Sequence, residues 1–357
     1  MNEHNIRFLK RSEDPFYLEL QAAVEASIAQ QARAAKGNVR GLLRACLVLA
    51  VLTVCYAHVL FVPAPVYVKI AEAFVLGLCI AATGLNVAHD ALHSTLYPNR
   101  HINRIFGYSM DIVGSSSYLW KINHGAHHAF TNVHGKDGDI KESPILRLCP
   151  QAPHKPLHRY QHITAIPVYA SFYLLVVYVF NVINILGYNF GKGDFRLKHP
   201  AGKVMEFILL KLLYLVLWVF IPLFVADIPF GVWLAGYLIA SVTAGIALTL
   251  LFFVAHDVET TRFEDYADDK ELSWATHQLH TTVNFRAHPI ISYFVGGLNY
   301  QIEHHLFPGV SSVYYKDLSP IVSSIARKYG VPYQVNKSFG QAILSHFRLL
   351  KQLSASP

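Results

Sequence analysis

Three short segments of the chain place histidines at the spacing of one helical turn. Two of them, 124–128 and 301–305, end in the same x-x-His-His pattern, and the other is His89–His93. Residues i, i+3 and i+4 lie on one face of an α-helix, so the imidazoles of each segment can point towards one centre. A single pair at this spacing is weak evidence, because surface histidines meet it by chance. Three such segments in one chain indicate a metal site.

Imidazole nitrogen is a good ligand for zinc, copper, iron and nickel. The clustered histidines are too numerous for one tetrahedral zinc site, which takes four ligands, or three and a water. The sequence lacks the His-Glu-x-x-His pattern of zinc proteases and the Glu-x-x-His pairs of soluble di-iron bundles. A dinuclear site with mostly imidazole ligands fits the number of histidines. Nitrogen ligands without a carboxylate nucleophile favour redox chemistry over hydrolysis.

Five apolar runs have to position these histidines. They cover about 42–62, 67–88, 163–187, 205–226 and 229–255. A helix needs roughly 20 apolar residues to cross a bilayer, and every run except 163–187 meets this requirement without interruption. Short turns without lysine or arginine join the first two runs and the last two runs, which predicts two helical hairpins. Because basic residues stay on the cytoplasmic side, we expect both turns outside and both chain ends inside.

The fifth apolar run is followed directly by His256. The hairpins place His256 at the same membrane face as His89, so we expect the histidine segments to converge just inside the cytoplasmic boundary. An even number of crossings must then separate the segment 124–128 from His256. One of the three runs between them therefore does not cross. The run 163–187 contains a proline and two asparagines, and we predict that it is interfacial.

The composition indicates an integral membrane protein. Hydrophobic residues make up 53% of the 357 residues, charged residues make up 15%, and the mean hydropathy is +0.31. A soluble domain carries about 25% charged residues, so a cytosolic, disordered or nucleic-acid-binding protein is disfavoured. We predict a polar N-terminal segment at 1–41, with an amphipathic helix at 15–35, and one membrane domain at 42–357. The predicted fold is all-α, with four transmembrane helices in two hairpins and a cytoplasmic helical cap that holds the histidine site.

Groups that orient the metal ligands should lie beside the histidine segments. A metal-bound imidazole usually donates its other N–H to a carboxylate or a carbonyl. The residues that we expect to surround the ligands in this way are Asp90, His134, Asp137, His277 and Glu303.

The three histidine segments resemble the three histidine boxes of the membrane fatty acid desaturases. The third, Gln301–Pro308, is similar to the Q-x-x-H-H box of front-end desaturases and of their bacterial acyl-lipid or acyl-CoA relatives. The resemblance covers about 40–335 and includes the order of the hairpins. Further matches lie at Asn132–Asp137, Ala255-His256, Trp274 and Gly296–Tyr300.

The resemblance implies two iron ions held by histidines. Position by position, the implied ligands are His89, His93, His124, His127, His128, His256, His304 and His305. Gln301 stands where related desaturases have histidine, so it is expected to bind weakly, to bind through water, or to orient a neighbour. The implied reaction uses dioxygen to remove two hydrogens from adjacent methylenes of an acyl chain and leaves a cis double bond.

The resemblance also implies a substrate and a partner. The acyl group is carried on CoA, on acyl-carrier protein or on a lipid. Many front-end desaturases have a fused cytochrome b5 domain, but the sequence has no His-Pro-Gly-Gly haem motif. Electrons are therefore expected from a separate ferredoxin, or from a cytochrome b5-like protein with its reductase. We expect a multi-pass protein of the bacterial inner membrane, with the termini and the active site in the cytoplasm.

Two other functions remain open at the level of sequence. Hydroxylation, acetylenation or carotenoid ketolation could use the same di-iron scaffold. A membrane metal transporter is more remote, because transport predicts ionisable ligands along a path inside the spans, whereas these histidines lie at the inner ends of the spans and beyond them.

Overall fold

The computed structural model describes residues 6–30, 37, 39–187, 198–266, 268 and 270–355. Of the predicted N-terminal segment, positions 1–5, 31–36 and 38 lie outside the described residues. The described part forms the helix Pro15–Gln30, whose buried face includes Leu20 and Val24.

Long apolar helices dominate the chain, as the composition predicts. Within the described residues, five helices are long and apolar enough to cross a membrane. They are Val39–Phe61, Val66–Leu92, Pro156–Ile185, Ala201–Val225 and Phe230–His256. Four of them coincide with the runs predicted to span, and Pro156–Ile185 contains most of the run predicted to be interfacial. The chain is therefore a helical, multi-pass membrane protein.

Three of these helices contain a stretch of wider π-helical turns, at Thr83–Ala88, Val176–Phe180 and Val216–Val225. Such turns shift the register of a helix and are frequent at functional sites. The first of them directly precedes His89.

Shorter elements connect the long helices. The short helices are Arg100–Gly107, Ser109–Ile112, Ser117–Ala129, Trp274–Thr281, Pro289–Phe294, Gln301–Leu306, Tyr315–Lys328 and Phe339–Ala355. Turns of 3₁₀-helix lie at Arg11–Glu13, Pro156–Tyr160 and Ser312–Tyr314. Three parallel pairs of two-residue strands join Arg7–Phe8 to Glu271–Leu272, Val133–His134 to Glu264–Asp265, and Asn284–Phe285 to Val335–Asn336.

The chain divides into two compact units. We call the described residues of 1–38, 123–165 and 251–357 the histidine unit, and those of 39–122 and 166–250 the span unit. The core of the histidine unit contains Leu20, Trp274, Ile302, Leu318 and Val322. It joins the N-terminal helix to the helices that surround the third histidine segment.

The span unit has a separate core in which small residues allow close helix contacts. Leu76, Trp218, Ala240 and Ala244 are buried there, and a Cβ added to Gly77 would lie only 2.5 Å from the Ala240 carbonyl oxygen. Helices in a membrane associate through small residues that let backbones approach one another, because lipid provides no hydrophobic driving force between helices.

Candidate metal centre

The histidine unit brings together six of the histidines selected from the sequence. His124, His127 and His128 lie on the helix Ser117–Ala129, His256 ends the helix Phe230–His256, and His304 and His305 lie on the helix Gln301–Leu306. The imidazole rings of His127 and His256 are centred 4.7 Å apart, those of His256 and His305 4.6 Å, and those of His128 and His305 4.2 Å.

The helix of the third histidine segment is fixed at its first turn. Every residue of Gln301–Leu306 is buried. The backbone N–H of Ile302 donates to Oδ1 of Asn284 (2.9 Å), and the Asn284 amide donates to the Glu303 carboxylate (2.8 Å). The chain enters this helix through Gly297, which has a φ of +74° and lies where a Cβ would be 3.0 Å from the Ser312 carbonyl oxygen. Only glycine adopts this conformation and this spacing without strain.

The imidazole nitrogens are close enough to share ions. One nitrogen each from His127, His256 and His305 lie within 4.8 Å of one another, and so do nitrogens of His128, His304 and His305. The Nε2 atoms of His124 and His128 are 3.0 Å apart. With metal–imidazole bonds of about 2.1 Å, neighbouring ligands on one ion have nitrogens about 3 Å apart and opposite ligands about 4.2 Å. The spacing of these side chains therefore fits metal binding.

The outer nitrogens of four imidazoles support the same interpretation. In each of them Nδ1 faces a protein oxygen, which leaves Nε2 available to bind a metal. The pairs are His127 with Asp137 Oδ2 (2.9 Å), His256 with the Thr281 carbonyl (3.1 Å), His305 with Gln278 Oε1 (3.0 Å), and His304 with the Tyr315 hydroxyl (3.2 Å).

Asp137 is the buried counter-charge of the cluster. Its Oδ2 also accepts the backbone N–H of Asn132 at 2.8 Å. Burial opposes ionisation of Asp137, but the nearby His127 outweighs it and holds the pKa of Asp137 below its usual value. Burial likewise disfavours the imidazolium form of His127, yet the carboxylates of Asp137 and Asp139 raise the pKa of His127 to about 9. This site therefore stabilises positive charge.

A second carboxyl group lies beside the cluster. Asp257 is buried, and among the described residues its Oδ1 has no hydrogen-bond partner. Burial, together with Asp137 and Asp139, raises the pKa of Asp257 well above its usual value. Burial therefore favours the neutral form of this carboxyl group.

Sequence reasoning missed two residues that hold this cluster together. Gln278 is fully buried, and its Oε1 lies 3.0 Å both from His305 Nδ1 and from the Thr131 hydroxyl oxygen. Its amide donates to the His128 carbonyl at 3.1 Å, and the Thr131 hydroxyl donates to the His127 carbonyl at 2.8 Å. Gln278 thus links the second histidine segment to the third. Its place next to His277 was a signal for this role in the sequence.

Three other residues expected around the ligands contact different groups. Glu303 accepts hydrogen bonds from Asn284 and Tyr333, and burial raises its pKa to about 7. His277 Nε2 lies 2.8 Å from the Thr131 carbonyl. His134 faces the carboxylates of Asp265 (3.3 Å) and Glu142 (3.8 Å).

The span unit holds the first histidine segment. The rings of His89 and His93 are centred 4.7 Å apart, and both make edge contacts with Trp120. His89 Nδ1 lies 3.5 Å from the Asp90 carboxylate, which forms a buried ion pair with Arg44 at 2.7 Å. Arg44 is therefore the closer partner of the Asp90 carboxylate, and His89 lies near it.

Comparison with known proteins identifies the family to which the chain belongs. A family model described as fatty acid desaturase matches residues 63–337. The chain belongs to the fatty acid desaturase family. The desaturase is therefore an oxidoreductase, and the family implies iron, a metal that imidazole ligands suit.

Curated relatives match almost the whole desaturase. The sn-1 linoleoyl-lipid 6-desaturase of Synechocystis sp. is 33% identical over 348 residues, which is 94% of each chain. The enzyme of the same name from Arthrospira platensis is 30% identical over 96% of this chain and 93% of its own. An acyl-lipid (8-3)-desaturase of Physcomitrium patens is 30% identical over 98% of this chain and 73% of its own.

Proposed function

We propose that this desaturase introduces a cis double bond into an acyl chain esterified to a membrane lipid. The names of its relatives support a lipid-bound substrate over acyl-CoA or acyl-carrier protein. The overall change removes two hydrogen atoms from adjacent methylene groups. Dioxygen is reduced to two molecules of water, and a donor supplies the two electrons that the acyl chain does not.

The observation that carries this proposal is the group of buried imidazoles in the histidine unit. We propose that the histidines selected from the sequence bind two iron ions. The complete ligand set is then His89, His93, His124, His127, His128, His256, His304 and His305. Bound iron supplies the oxidising power needed to remove hydrogen from an unactivated methylene.

The protein contributes orientation and charge. Asp137, Gln278 and the Thr281 carbonyl hold the rings of His127, His305 and His256 through their Nδ1 atoms. These hydrogen bonds fix the orientation of each ring with Nε2 on the side away from the partner oxygen, so little reorganisation accompanies metal binding.

Gln301 acts as a positioning residue in this proposal. Its side chain is buried and hydrogen-bonds to the His256 imidazole. Of the three roles open to it from sequence, orientation of a neighbour is the one that this contact supports.

The topology follows from the placement of ligands at helix ends. We infer four crossings, with Pro156–Ile185 on the cytoplasmic side of the bilayer and with the termini and the site in the cytoplasm. This keeps an even number of crossings between the second histidine segment and His256. Electron donors that are separate cytoplasmic proteins can then reach the site. We infer that the donor is a ferredoxin or a cytochrome b5-like protein, and that the desaturase lies in a bacterial inner membrane.

Expression in a host of known lipid composition tests the function. Mass spectrometry of the extracted lipids should locate a new double bond that depends on oxygen. His304→Ala should abolish it, whereas His101→Ala, on the exposed surface of Arg100–Gly107, should not. A product that gains an oxygen atom would show that the reaction is hydroxylation and not desaturation. Supply of a labelled intact phospholipid separates the carriers, because desaturation on lipid leaves the label in the same lipid molecule.

A further inference from the structure

A groove of about 740 Å³ lies in the histidine unit where the helix Pro156–Ile185 begins and the helix Phe339–Ala355 ends. Its polar lining consists of basic side chains, a tyrosine and a serine, and none of its described lining residues is acidic. The basic residues are His154, Arg159, His162 and Lys351.

The two permanent cations of the groove are not neutralised. Arg159 and Lys351 are exposed, and neither forms an ion pair within the part of the chain that the structure describes. The neighbouring turn of the C-terminal helix, Phe339–Ala355, does have an acidic partner, because Arg348 and Gln352 both contact Glu259. Glu259 therefore pairs with these two side chains and with neither Arg159 nor Lys351, so the groove keeps its positive charge.

Buried hydrogen bonds fix the walls of the groove. The Arg147 guanidinium donates to the carbonyls of Pro150 (2.6 Å), Ala152 (2.7 Å) and Leu353 (3.2 Å). These bonds hold the loop that precedes the groove against the last turn of the C-terminal helix, where carbonyl groups lack helical partners.

Gln161 completes this connection. It is fully buried, its amide donates to the carbonyls of Arg147 (3.2 Å) and Leu350 (2.9 Å), and its Oε1 accepts the Arg147 backbone N–H at 2.7 Å. Arg159 lies two positions before Gln161 and His162 directly follows it, so these side chains extend from a rigid base.

An apolar strip borders the same groove. Leu157, Tyr160 and Ile163 are 62%, 56% and 60% exposed. They follow one another at three-residue intervals along the start of an apolar helix. Exposed aliphatic and tyrosine side chains beside basic residues are typical of a protein surface at the boundary between lipid headgroups and acyl chains.

We propose that this groove binds the phosphate of an anionic phospholipid, with the acyl chains of that lipid against the apolar strip. Arg159 offers a planar fork that matches two phosphate oxygens, and Lys351 offers a point charge. The strip favours a lipid over a free phosphate ion, because an ion would leave these apolar side chains exposed. This site is separate from the acyl-chain chemistry and does not depend on it.

Lipid retention by the full-length protein tests the proposal. The protein is placed in nanodiscs of phosphatidylcholine with a minor fraction of phosphatidylglycerol, and native mass spectrometry measures the lipids that it retains. The test variant is Arg159→Gln with Lys351→Gln. The control is Arg327→Gln with Lys337→Gln, which removes the same charge from exposed positions of the same unit. Size-exclusion profiles verify that both variants remain folded.

The wild type and the control should retain phosphatidylglycerol in preference to phosphatidylcholine. The test variant should lose this preference by about thirtyfold, since each basic residue near an anionic surface contributes about 1 kcal/mol. Equal retention by the test variant, or no preference in the wild type, would overturn the proposal. Displacement of phosphatidylglycerol by millimolar inorganic phosphate would show that the groove is a site for free phosphate instead.

Discussion

The Nδ1 atom of His127 lies 2.9 Å from Oδ2 of Asp137, and both side chains are buried. The carboxylate reaches the ring because the chain reverses after the helix Ser117–Ala129, where Asn132 adopts a φ of 55°. The same oxygen binds the Asn132 backbone N–H, so the turn and the imidazole share one anchor. Asp139 also approaches this ring, at 3.3 Å, but its side chain is 59% exposed.

Replacing Asp137 by Asn should lower iron content and turnover by about 10- to 100-fold, the range seen when such an outer partner of a metal ligand is removed. The amide keeps the shape but loses the charge that favours the required tautomer of His127. Metal analysis per protein and the rate of product formation measure the effect. Asp139→Asn is the matched control and should have a smaller effect, because an exposed carboxylate is screened by water. Equal losses in both variants would contradict the assigned role of Asp137.

Replacing Gln278 by Leu should also reduce turnover, by about tenfold or more. The variant removes the Oε1 acceptor from His305 Nδ1 and the amide donor from the His128 carbonyl. Gln352→Leu is the control, since Gln352 is exposed and contacts Glu259 outside the cluster. Wild-type turnover in Gln278→Leu would show that the helix Gln301–Leu306 alone orients His305.

The clustering of the histidines was predictable because helical spacing is a local property. The pattern 124–128 fixes which rings share a face without knowledge of the rest of the chain, and the structure places those rings with His256 and His305. The end of an apolar run likewise identified His256. In both cases a few neighbouring residues contain the information.

The hydrogen-bond partners of these histidines were less predictable because they depend on contacts between distant segments. His305 and Gln278 are 27 positions apart, and Gln278 and Thr131 are 147 apart. No periodicity relates them. Asp137 was found because it lies ten residues from His127 and its carboxylate is an expected partner of imidazole, whereas a backbone carbonyl such as that of Thr281 has no signature in a sequence.

Replacing Gln301 by His should preserve iron content. The new imidazole can supply nitrogen where Gln301 now orients His256, and related desaturases have histidine at this position of the box. Metal analysis of the purified variant checks this. Because Gln301 is buried, loss of iron would instead show that its surroundings do not admit the larger ring.

Removal of iron should destabilise the histidine unit. Any ligand that binds the folded state alone stabilises it, by about 2.7 kcal/mol at a concentration 100 times its Kd. Treatment with reductant and a ferrous chelator should therefore lower the melting temperature, and ferrous iron should restore both stability and activity. Zinc is the control, since it should restore stability without turnover. Turnover with zinc alone would contradict a redox role for the metal.

Replacing Gly245 by Ala should destabilise the span unit by about 1–3 kcal/mol, the usual cost of overpacking a dense interior. A Cβ at this position would lie 2.6 Å from the Tyr169 carbonyl oxygen and 3.0 Å from that of Ala170, so the two backbones would have to separate. Gly236→Ala is the matched control in the same helix, because no atom lies within 4 Å of its added Cβ. Thermal unfolding in detergent should show a lower midpoint for Gly245→Ala and an unchanged or slightly higher one for Gly236→Ala, since alanine favours helix over glycine. A similar midpoint for both variants would mean that these helices do not depend on close contact at Gly245.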